Sequence, residues 1–343
     1  AAVAQVTETL RFENGRCEVG IPWKRGEPHL VNNYTMALKR LKTQEQSLLR
    51  KGPEVAQAYD EIIKDYERTG YITVIPKTND TEQWFLPHFP VIRQDRTTTK
   101  VRMVFDAAAK ENGKSLNDAV RTGPKLQREL TDVLTRFRRA PIALSGDISE
   151  MFLQFGLNEG DRCYHRFLWR NLDPTKEPDH YEFKRLLFGN RASPFCSQHV
   201  VLTHAQANAT DYPHAAGAVN NSMYVDDVLD SCETVGETVQ LRNELSDLLA
   251  LGNFKLRKWS SNSPDVLKDV PVEDRLQSLE IREAEDSPKF KTLGVLWDAE
   301  KDVFTFCIQP PDPAMELTKR NVLSTIATIF DPLQFLAPFT IRA

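Results

Sequence analysis

Apolar residues recur at helical spacing in the segment that follows Gly52-Pro53. The stripe consists of Val55, Tyr59, Ile62, Ile63 and Tyr66. This spacing predicts an amphipathic helix with Pro53 in its first turn and Gly70 as its C-cap. Further helices are predicted over residues 34–50, 125–138 and 237–251. These stripes indicate a packed core, and we assign them no chemistry.

Short runs of β-forming residues lie between the predicted helices. They occupy residues 71–76, 86–93, 100–106 and 142–145. Residues 11–23 predict a hairpin about Asn14-Gly15, and residues 291–297 with 303–308 predict another around residues 298–302. Because helices and hairpins mix without a regular alternation, the pattern predicts an α+β fold with antiparallel strands.

Composition places the chain among globular proteins and away from secreted or membrane classes. It has 343 residues, 41% hydrophobic and 27% charged, with a mean hydropathy of −0.45. No apolar run approaches the length of a membrane span, and residues 1–5 lack the features of a signal peptide. Since there is no initiator Met, we expect an excised piece of a longer chain. The five cysteines are odd in number and lack C-x-x-C spacing, which favours reduced thiols over disulfides or a zinc cluster.

The net charge of −4 conceals a basic segment. Residues 91–140 carry twelve Lys and Arg against six Asp and Glu, a net charge of +6, so the remainder carries −10. A basic block in an acidic chain is typical of a polyanion-binding surface. The alternative is an ordinary solvated face.

Two adjacent acids stand between β-forming residues in the sequence Tyr224-Val225-Asp226-Asp227-Val228. The pattern predicts a hairpin whose turn holds Asp226-Asp227. Asp is common in turns for local reasons, so the pair alone is a weak signal. Carboxylates beside a buried sheet are costly without compensation, however, and a cation is a plausible partner.

A second acidic position follows an apolar strand that ends at Asp147, where a helix is expected to begin soon after. An N-cap role would explain Asp147 by itself. The alternative is that Asp147 and Asp226 lie on adjacent strands and face one another. Hard oxygen ligands of this kind suit Mg²⁺ bound with substrate phosphates, and two such ions can clamp a phosphoryl transfer.

The Tyr224-Val225-Asp226-Asp227 sequence resembles the Y-x-D-D box of reverse transcriptases, and further boxes follow in that family's order. They are Lys100–Phe105 with Asp106, Ser115-Leu116-Asn117-Asp118, the segment from Asp147 to Phe152, Phe188-Gly189-Asn190-Arg191-Ala192-Ser193-Pro194, Phe254-Lys255-Leu256-Arg257-Lys258-Trp259 and Leu293-Gly294-Val295-Leu296-Trp297. Additional segments are similar to the BEL/Pao group of long-terminal-repeat retrotransposons. They are Ile21-Pro22-Trp23-Lys24, Tyr34 with Ala37-Leu38-Lys39-Arg40-Leu41, Arg166-Phe167-Leu168-Trp169-Arg170 and Ile329-Phe330-Asp331-Pro332-Leu333.

This resemblance implies a right-hand polymerase of fingers, a palm with an antiparallel sheet, and a partial thumb. Residues 1–69 would be an N-terminal extension joined to the fingers, residues 70–297 the fingers and palm, and residues 298–343 the start of a truncated thumb. The implied partners are an RNA or DNA template with its primer, and dNTPs, with no membrane. The implied location is intracellular, in a cytoplasmic particle of the element or in the nucleus. Oligomeric state is not implied.

The resemblance also implies roles for individual residues. Asp147 and Asp226 would bind two Mg²⁺ ions, or Mn²⁺, with Asp227 as a nearby third acid. The substrate would be held by Lys100, Arg102, Phe152, Phe188, Gly189 and a late-palm lysine, either Lys255 or Lys258. Many reverse transcriptases carry Gln where this chain has Phe188, although related retrotransposon enzymes resemble the Phe-Gly form.

Three of these substrate residues also have a structural explanation. Arg102 could pair with Asp106, Gly189 could be a turn glycine, and Phe152 could belong to the core, as we expect for Trp169, Trp259 and Trp297. At the level of the whole chain, the alternative to a polymerase is a catalytically silent nucleic-acid-binding remnant of a retroelement. A two-metal nuclease or phosphatase is a further alternative, but the sequence lacks the additional cluster of acids or histidines that it needs.

Overall fold

The computed structural model describes residues 1–13, 15–24, 28–93, 100–276, 289–306 and 314–342. Asn14 of the first predicted hairpin, Cys307 and Ile308 therefore lie outside the described residues. The chain divides into two compact units. The first comprises residues 1–126 and 150–203, and the second comprises residues 127–149 and 204–343.

Helices are distributed along the whole chain. They are α1 (Ala2–Thr9), α2 (Tyr34–Lys51), α3 (Pro53–Arg68), α4 (Leu116–Ala119), α5 (Leu130–Phe137), α6 (Met151–Gln154), α7 (Glu159–Arg162), α8 (Ser193–Ala207), α9 (Pro213–Asn221), α10 (Val235–Leu251), α11 (Lys319–Ala327) and α12 (Ala337–Thr340). No helix among these described segments is long and apolar enough to cross a bilayer.

The strands are short, as the sequence predicts. They are β1 (Arg11–Glu13), β2 (Arg16–Val19), β3 (Ile72–Ile75), β4 (His88–Arg93), β5 (Lys100–Phe105), β6 (Ile142–Ile148), β7 (Gly156–Leu157), β8 (Arg166–Trp169), β9 (Asp179–Phe183), β10 (Met223–Tyr224), β11 (Asp227–Cys232), β12 (Leu256–Ser261), β13 (Lys289–Thr292), β14 (Val295–Asp298) and β15 (Val303–Thr305). Nearly all pairings are antiparallel; β2 with β7 is parallel.

The first unit holds small sheets in the orders β1-β2-β7 and β3-β9-β8, with β4 and β5 as a separate antiparallel pair. Helix α3 packs its predicted stripe inward, since Tyr59 and Ile63 are buried. The Tyr59 hydroxyl lies 2.6 Å from His88 Nδ1, and His88 Nε2 lies 3.0 Å from the Leu168 carbonyl oxygen. Burial lowers the pKa of His88 to about 4, so this core histidine is neutral.

The Arg166–Trp169 strand and Arg170 form part of the same unit's framework. Arg170 pairs with Glu45 through Nε and Nη2, at 2.8 and 2.5 Å, and both side chains are buried. The Trp169 indole donates a hydrogen bond of 2.8 Å to Asp60. Because buried charges are costly unless paired, these contacts give the segment a structural purpose independent of substrate.

The second unit is built on a sheet in the order β10-β11-β6-β12 and a meander of β13, β14 and β15. Its core cluster includes Phe137 of α5, Ala143 of β6, Leu229 of β11 and Trp297 of β14. The three tryptophans that we expected in the core are all buried, Trp169 in the first unit and Trp259 and Trp297 in the second, which confirms that prediction.

Two strand predictions need correction. The run predicted over 291–297 is two strands, because Leu293 and Gly294 both have positive φ and form a turn between β13 and β14. The predicted turn at Asp226-Asp227 is shifted by one residue: Val225 and Asp226 form it, and Asp227 begins β11. The predicted hairpin after residue 297 is confirmed, with Asp298 opposite Val303.

Candidate active site

Two neighbouring strands of the second unit carry the acidic residues. In β6, Asp147 lies directly opposite Asp227 of β11 in the antiparallel register. Asp226 occupies the tight turn between β10 and β11, where Tyr224 pairs with Asp227. The sequence predicted that Asp147 and Asp226 lie on adjacent strands and face one another. The prediction is wrong in register by one residue, because Asp227 is the residue opposite Asp147 and Asp226 lies in the turn. Asp147 lies within the strand and is not a helix N-cap.

Backbone geometry holds Asp226 beside Asp147. The Ile148 amide donates a hydrogen bond of 2.8 Å to the Asp226 carbonyl oxygen, which ties the turn to β6 one residue after Asp147. Val225 has a φ of 59°, which is rare for a β-branched residue. Such strained positions persist where the surrounding structure over-determines them, and they cluster at functional sites.

The three carboxylates share a poorly solvated space. Burial, followed by the charges of Asp226 and Asp147, raises the pKa of Asp227 to about 7. Burial and then the charge of Asp147 raise the pKa of Asp226 as well. Like charges crowded in a low dielectric disfavour ionisation, so this group of acids gains from any nearby cation.

Lys258 supplies one such cation. Its Nζ forms an ion pair with Asp147 Oδ2. Lys255 instead lies 3.3 Å from Asp274 Oδ1, and Arg257 Nε lies 3.4 Å from the same oxygen. Of the two late-palm lysines that the sequence left open, the structure therefore brings Lys258 to the acids.

The donor set suits a hard divalent cation. Carboxylate oxygens are the ligands that Mg²⁺ prefers, and it commonly takes only one or two from the protein, with water and substrate phosphates completing the shell. Asp147 on β6 and Asp226 in the adjoining turn are the pair best placed to hold it. Among the described residues, no group of three or more His, Cys, Asp or Glu is arranged as a ready metal site.

The remaining predicted substrate residues belong to the first unit. Arg102 is exposed on β5, and Asp106 pairs with Arg40 at 3.0 Å instead. Thus the Arg102–Asp106 pair is absent, and the Arg102 guanidinium has no ion-pair partner among the described residues. Lys100 begins β5, but its side chain lies outside the description.

Phe152 and Phe188 lie together in the same unit. Phe152 sits in α6, as predicted, and is 8% exposed. Its ring meets the edge of the Phe188 ring at a centroid distance of 4.6 Å, and Phe188 is 50% exposed. The pair presents one aromatic surface, of which Phe188 is the solvent-facing half.

Gly189 is required by the fold. It has a φ of +106°, and a Cβ there would lie 2.2 Å from the Phe105 carbonyl oxygen. Asn117 fixes this loop from both sides, donating to the Gly189 carbonyl oxygen at 3.0 Å and accepting from the Arg191 amide at 2.9 Å. Close backbone approach explains the glycine, and its predicted template contact stays a prediction.

Sequence reasoning missed several residues that build these loops. Asn117 stands in the sequence only as one member of a box, and nothing there points to Asp274, the partner of Lys255 and Arg257. A Cβ on Gly146 would lie 2.9 Å from the Trp259 ring, so this glycine lets Trp259 pack across β6. A glycine within an apolar strand is the one signal that points to this close approach.

The basic block of residues 91–140 divides by environment. Arg138 is bonded through both terminal nitrogens to Asp302, with Nη2 at 2.7 Å from Oδ2. Arg128, Arg136 and Arg139 instead line an open cavity of about 410 Å³ with Asp132 and Asn221. The latter arginines are the ones placed to meet an anion.

This chain, with its mixed helices and small antiparallel sheets, has a fold similar to that of solved reverse transcriptases. It is similar to a foamy viral protease-reverse transcriptase (dRH) solved in complex with double-stranded DNA, with a TM-score of 0.52 and 18% identity over 82% of this chain and 40% of that chain. It is also similar to a foamy viral protease-reverse transcriptase solved with an RNA/DNA hybrid, with a TM-score of 0.51 and 17% identity over 83% of this chain and 31% of that one. The chain thus spans less than half the length of either. No family model and no curated protein matches it.

Proposed function

We propose that the chain is the RNA- and DNA-templated DNA polymerase of a retrotransposon polyprotein. The observation that carries the proposal is the placement of Asp147 on β6 beside the β10–β11 turn that holds Asp226, within a reverse-transcriptase-like fold. Both structural neighbours were solved with nucleic acid, which agrees with a template and primer as partners. The BEL/Pao assignment rests on the sequence boxes alone and forms the finer part of the proposal.

In this proposal, Asp147 and Asp226 hold two Mg²⁺ ions and Asp227 adds negative charge beside them. The chemistry that Mg²⁺ would supply when held by these residues is a lower pKa for the primer 3′-hydroxyl and positive charge beside the α-phosphate. The chain's own contribution is to hold the turn with Asp226 beside Asp147 of β6, through the backbone hydrogen bond from Ile148 to Asp226. Arg102 would bind the nucleotide phosphates, because its guanidinium is exposed and unpaired among the described residues.

Nucleic acid would be held largely through its phosphates. The open cavity beside α5, lined by Arg128, Arg136 and Arg139, is a candidate contact. Binding through phosphates releases counterions, so duplex affinity should fall steeply as salt rises. The proposed setting is a retroelement particle in the cytoplasm, or the nucleus.

The test is nucleotide incorporation on matched RNA and DNA templates carrying one DNA primer, with Mg²⁺ and then with EDTA. Extension on both templates that stops with EDTA supports the proposal. Asp226→Asn serves as the matched control, because it keeps the shape of the side chain and removes its charge. A catalytically silent remnant would bind the primed duplex without extending it, and that result would overturn the enzymatic proposal.

A further inference from the structure

We propose that Lys258 is the resident counter-ion of Asp147 when no metal is bound, and that it withdraws to solvent when Asp147 binds a divalent cation. The inference deepens the proposed function and rests on it for the identity of the metal ligands. We call this replacement of the Lys258 ammonium by a divalent cation at Asp147 the charge exchange. It gives Lys258 a role in the protein before any substrate binds.

The backbone is shaped to bring Lys258 to Asp147. In the β12–β6 pairing, Arg257 lies opposite Asp147 and Ser260 lies opposite Ser145, so β12 holds one extra residue between these pairs. Lys258 sits in this bulge with a φ of 54°, a left-handed conformation that is uncommon outside glycine. β-bulges re-aim side chains and are frequent beside active sites.

Packing on the next residue secures the bulge. Trp259 is 4% exposed and lies against Gly146, where any Cβ would clash. The backbone just before β12 is held to the end of β6 by the Ser149 amide, which donates a hydrogen bond of 2.9 Å to the Lys255 carbonyl oxygen. Buried residues on both strands therefore fix the backbone positions from which Lys258 and Asp147 form their ion pair.

The two partners differ sharply in exposure. The Lys258 side chain is 61% exposed, whereas that of Asp147 is 11% exposed. A long, exposed lysine can move its ammonium into water at small cost, while the buried carboxylate cannot follow. When the ion pair breaks, we therefore expect Lys258 to move into solvent and Asp147 to stay in place.

Charge balance explains why the pair would be exchanged. Asp147, Asp226 and Asp227 place three carboxyl groups together, and one ammonium neutralises only part of their charge. The positive charge of Lys258 lowers the pKa of Asp226 and Asp227, but burial and mutual repulsion outweigh it. A divalent ion adds more positive charge at the same carboxylate, and the ammonium is then repelled.

Loss of the Lys258 charge should therefore act in opposite directions on two measurements. Without metal, the acids lose their counter-ion and the fold weakens. With metal, Asp147 no longer has a competing cation and binding tightens. A lysine of purely structural importance would weaken both, and one that acts only on substrate would change neither.

The experiment compares the full chain with Lys258→Met in the absence of nucleotide and nucleic acid, at pH 8.5. Isothermal calorimetry gives the Kd of Mn²⁺ and Mg²⁺, and thermal unfolding in EDTA gives the stability without metal. We expect the Mn²⁺ Kd to fall by about tenfold or more, equivalent to about 1.4 kcal/mol, and the Tm in EDTA to fall. Arg257→Met removes the same charge one residue away, from a side chain paired with Asp274, and should leave the Kd nearly unchanged.

A second measurement needs no variant. Acetic anhydride labelling of the wild-type chain, read by mass spectrometry, should modify Lys258 more in saturating Mn²⁺ than in EDTA, with Lys255 as the internal reference. Equal Lys258 labelling in both conditions, or unchanged or weaker metal binding by folded Lys258→Met, would overturn the inference. If these shifts occur in a chain that extends no primer, the proposed polymerase function fails and the charge exchange stands.

Discussion

Asp227 lies directly opposite Asp147 across the β6–β11 pair, so the two side chains stand on the same face of the sheet. Burial and the neighbouring charges raise the pKa of Asp227 to about 7. Lys258 pairs with Asp147 and leaves Asp227 without an ion pair of its own among the described residues. The two acids are therefore not equivalent in their effect on stability.

From this difference we predict that Asp227→Asn stabilises the metal-free protein at pH 8, by roughly 1–3 kcal/mol, because it removes a half-buried charge repelled by two others. Asp147→Asn should stabilise less, since it also removes the partner of Lys258. Thermal unfolding in EDTA measures both. The prediction fails if Asp227→Asn is the less stable variant. Asp265→Asn, an exposed acid of the same unit, should leave the Tm unchanged.

The exposed guanidinium of Arg102 leads to a kinetic prediction. If it binds nucleotide phosphates, Arg102→Ala should raise the apparent KM for dNTP about tenfold or more, with a smaller change in the affinity for primed duplex. Steady-state incorporation and duplex titrations separate the two. Arg138→Ala is an informative contrast, because Arg138 is engaged by Asp302 and should affect stability instead. An unchanged KM in Arg102→Ala would make it an ordinary surface residue.

Gly189 offers a test of packing that is independent of catalysis. Gly189→Ala should destabilise the protein by roughly 1–3 kcal/mol from its backbone conformation alone, with the clash against Phe105 adding to this. Gly160 in α7 is the matched control, since a Cβ there would meet no atom within 4 Å and its φ is ordinary. Gly160→Ala should be neutral or about 0.5–1 kcal/mol more stable. Urea unfolding compares them, and similar stabilities would contradict the packing argument.

The sequence was most informative where a local pattern has a local cause. The stripe on α3 follows from residue spacing, and the structure confirms it. The hairpin before Val228 was predicted from the β-forming residues on both sides, and its turn lies one residue earlier than predicted. The bulge at Lys258 could not be predicted from the sequence, because a lysine with a left-handed backbone conformation carries no sequence signal. The bulge depends on the packing of Trp259 against Gly146. The facing of Asp147 and Asp227 likewise depends on strand register, which single-sequence patterns specify only loosely.

The buried histidine of the first unit predicts a pH dependence. Burial lowers the pKa of His88 from 6.5 to about 4, so the unfolded chain binds a proton between these values that the folded chain does not. The stabilising effect is complete above pH 6.5 and is lost as pH falls towards 4. We expect His88→Gln to flatten the fall in unfolding free energy between pH 6.5 and 4.5, by up to about 1.4 kcal/mol per pH unit.

Urea unfolding at a series of pH values measures that slope. His165 is buried with a pKa also lowered to about 4, so part of the wild-type slope should remain in His88→Gln. His29, which is exposed, provides the control His29→Gln. A wild-type slope retained in full by His88→Gln would show that His88 does not take part in this linkage.

The last prediction concerns the choice of sugar and rests on Phe152. Its ring is buried and meets the edge of the half-exposed Phe188 ring. In the family that this chain resembles, an aromatic at this position packs on the deoxyribose of the incoming nucleotide and excludes a 2′-hydroxyl. Steric conflict, together with a desolvated hydroxyl that costs roughly 1–3 kcal/mol, would give discrimination of about a hundredfold or more.

Phe152→Val should therefore admit ribonucleotides while the use of deoxynucleotides falls only modestly. The measurement is the ratio of kcat/KM for dNTP over rNTP in the wild-type protein and the variant. Phe155→Leu, a fully buried aromatic directly after α6, should lower stability without changing this ratio. An equal ratio in the wild type and Phe152→Val would show that Phe152 does not select the sugar. Its contact with Phe188 would then serve packing alone. A kcat/KM ratio near one in the wild-type protein would contradict the DNA-polymerase proposal itself, because a DNA polymerase must prefer deoxynucleotides over ribonucleotides.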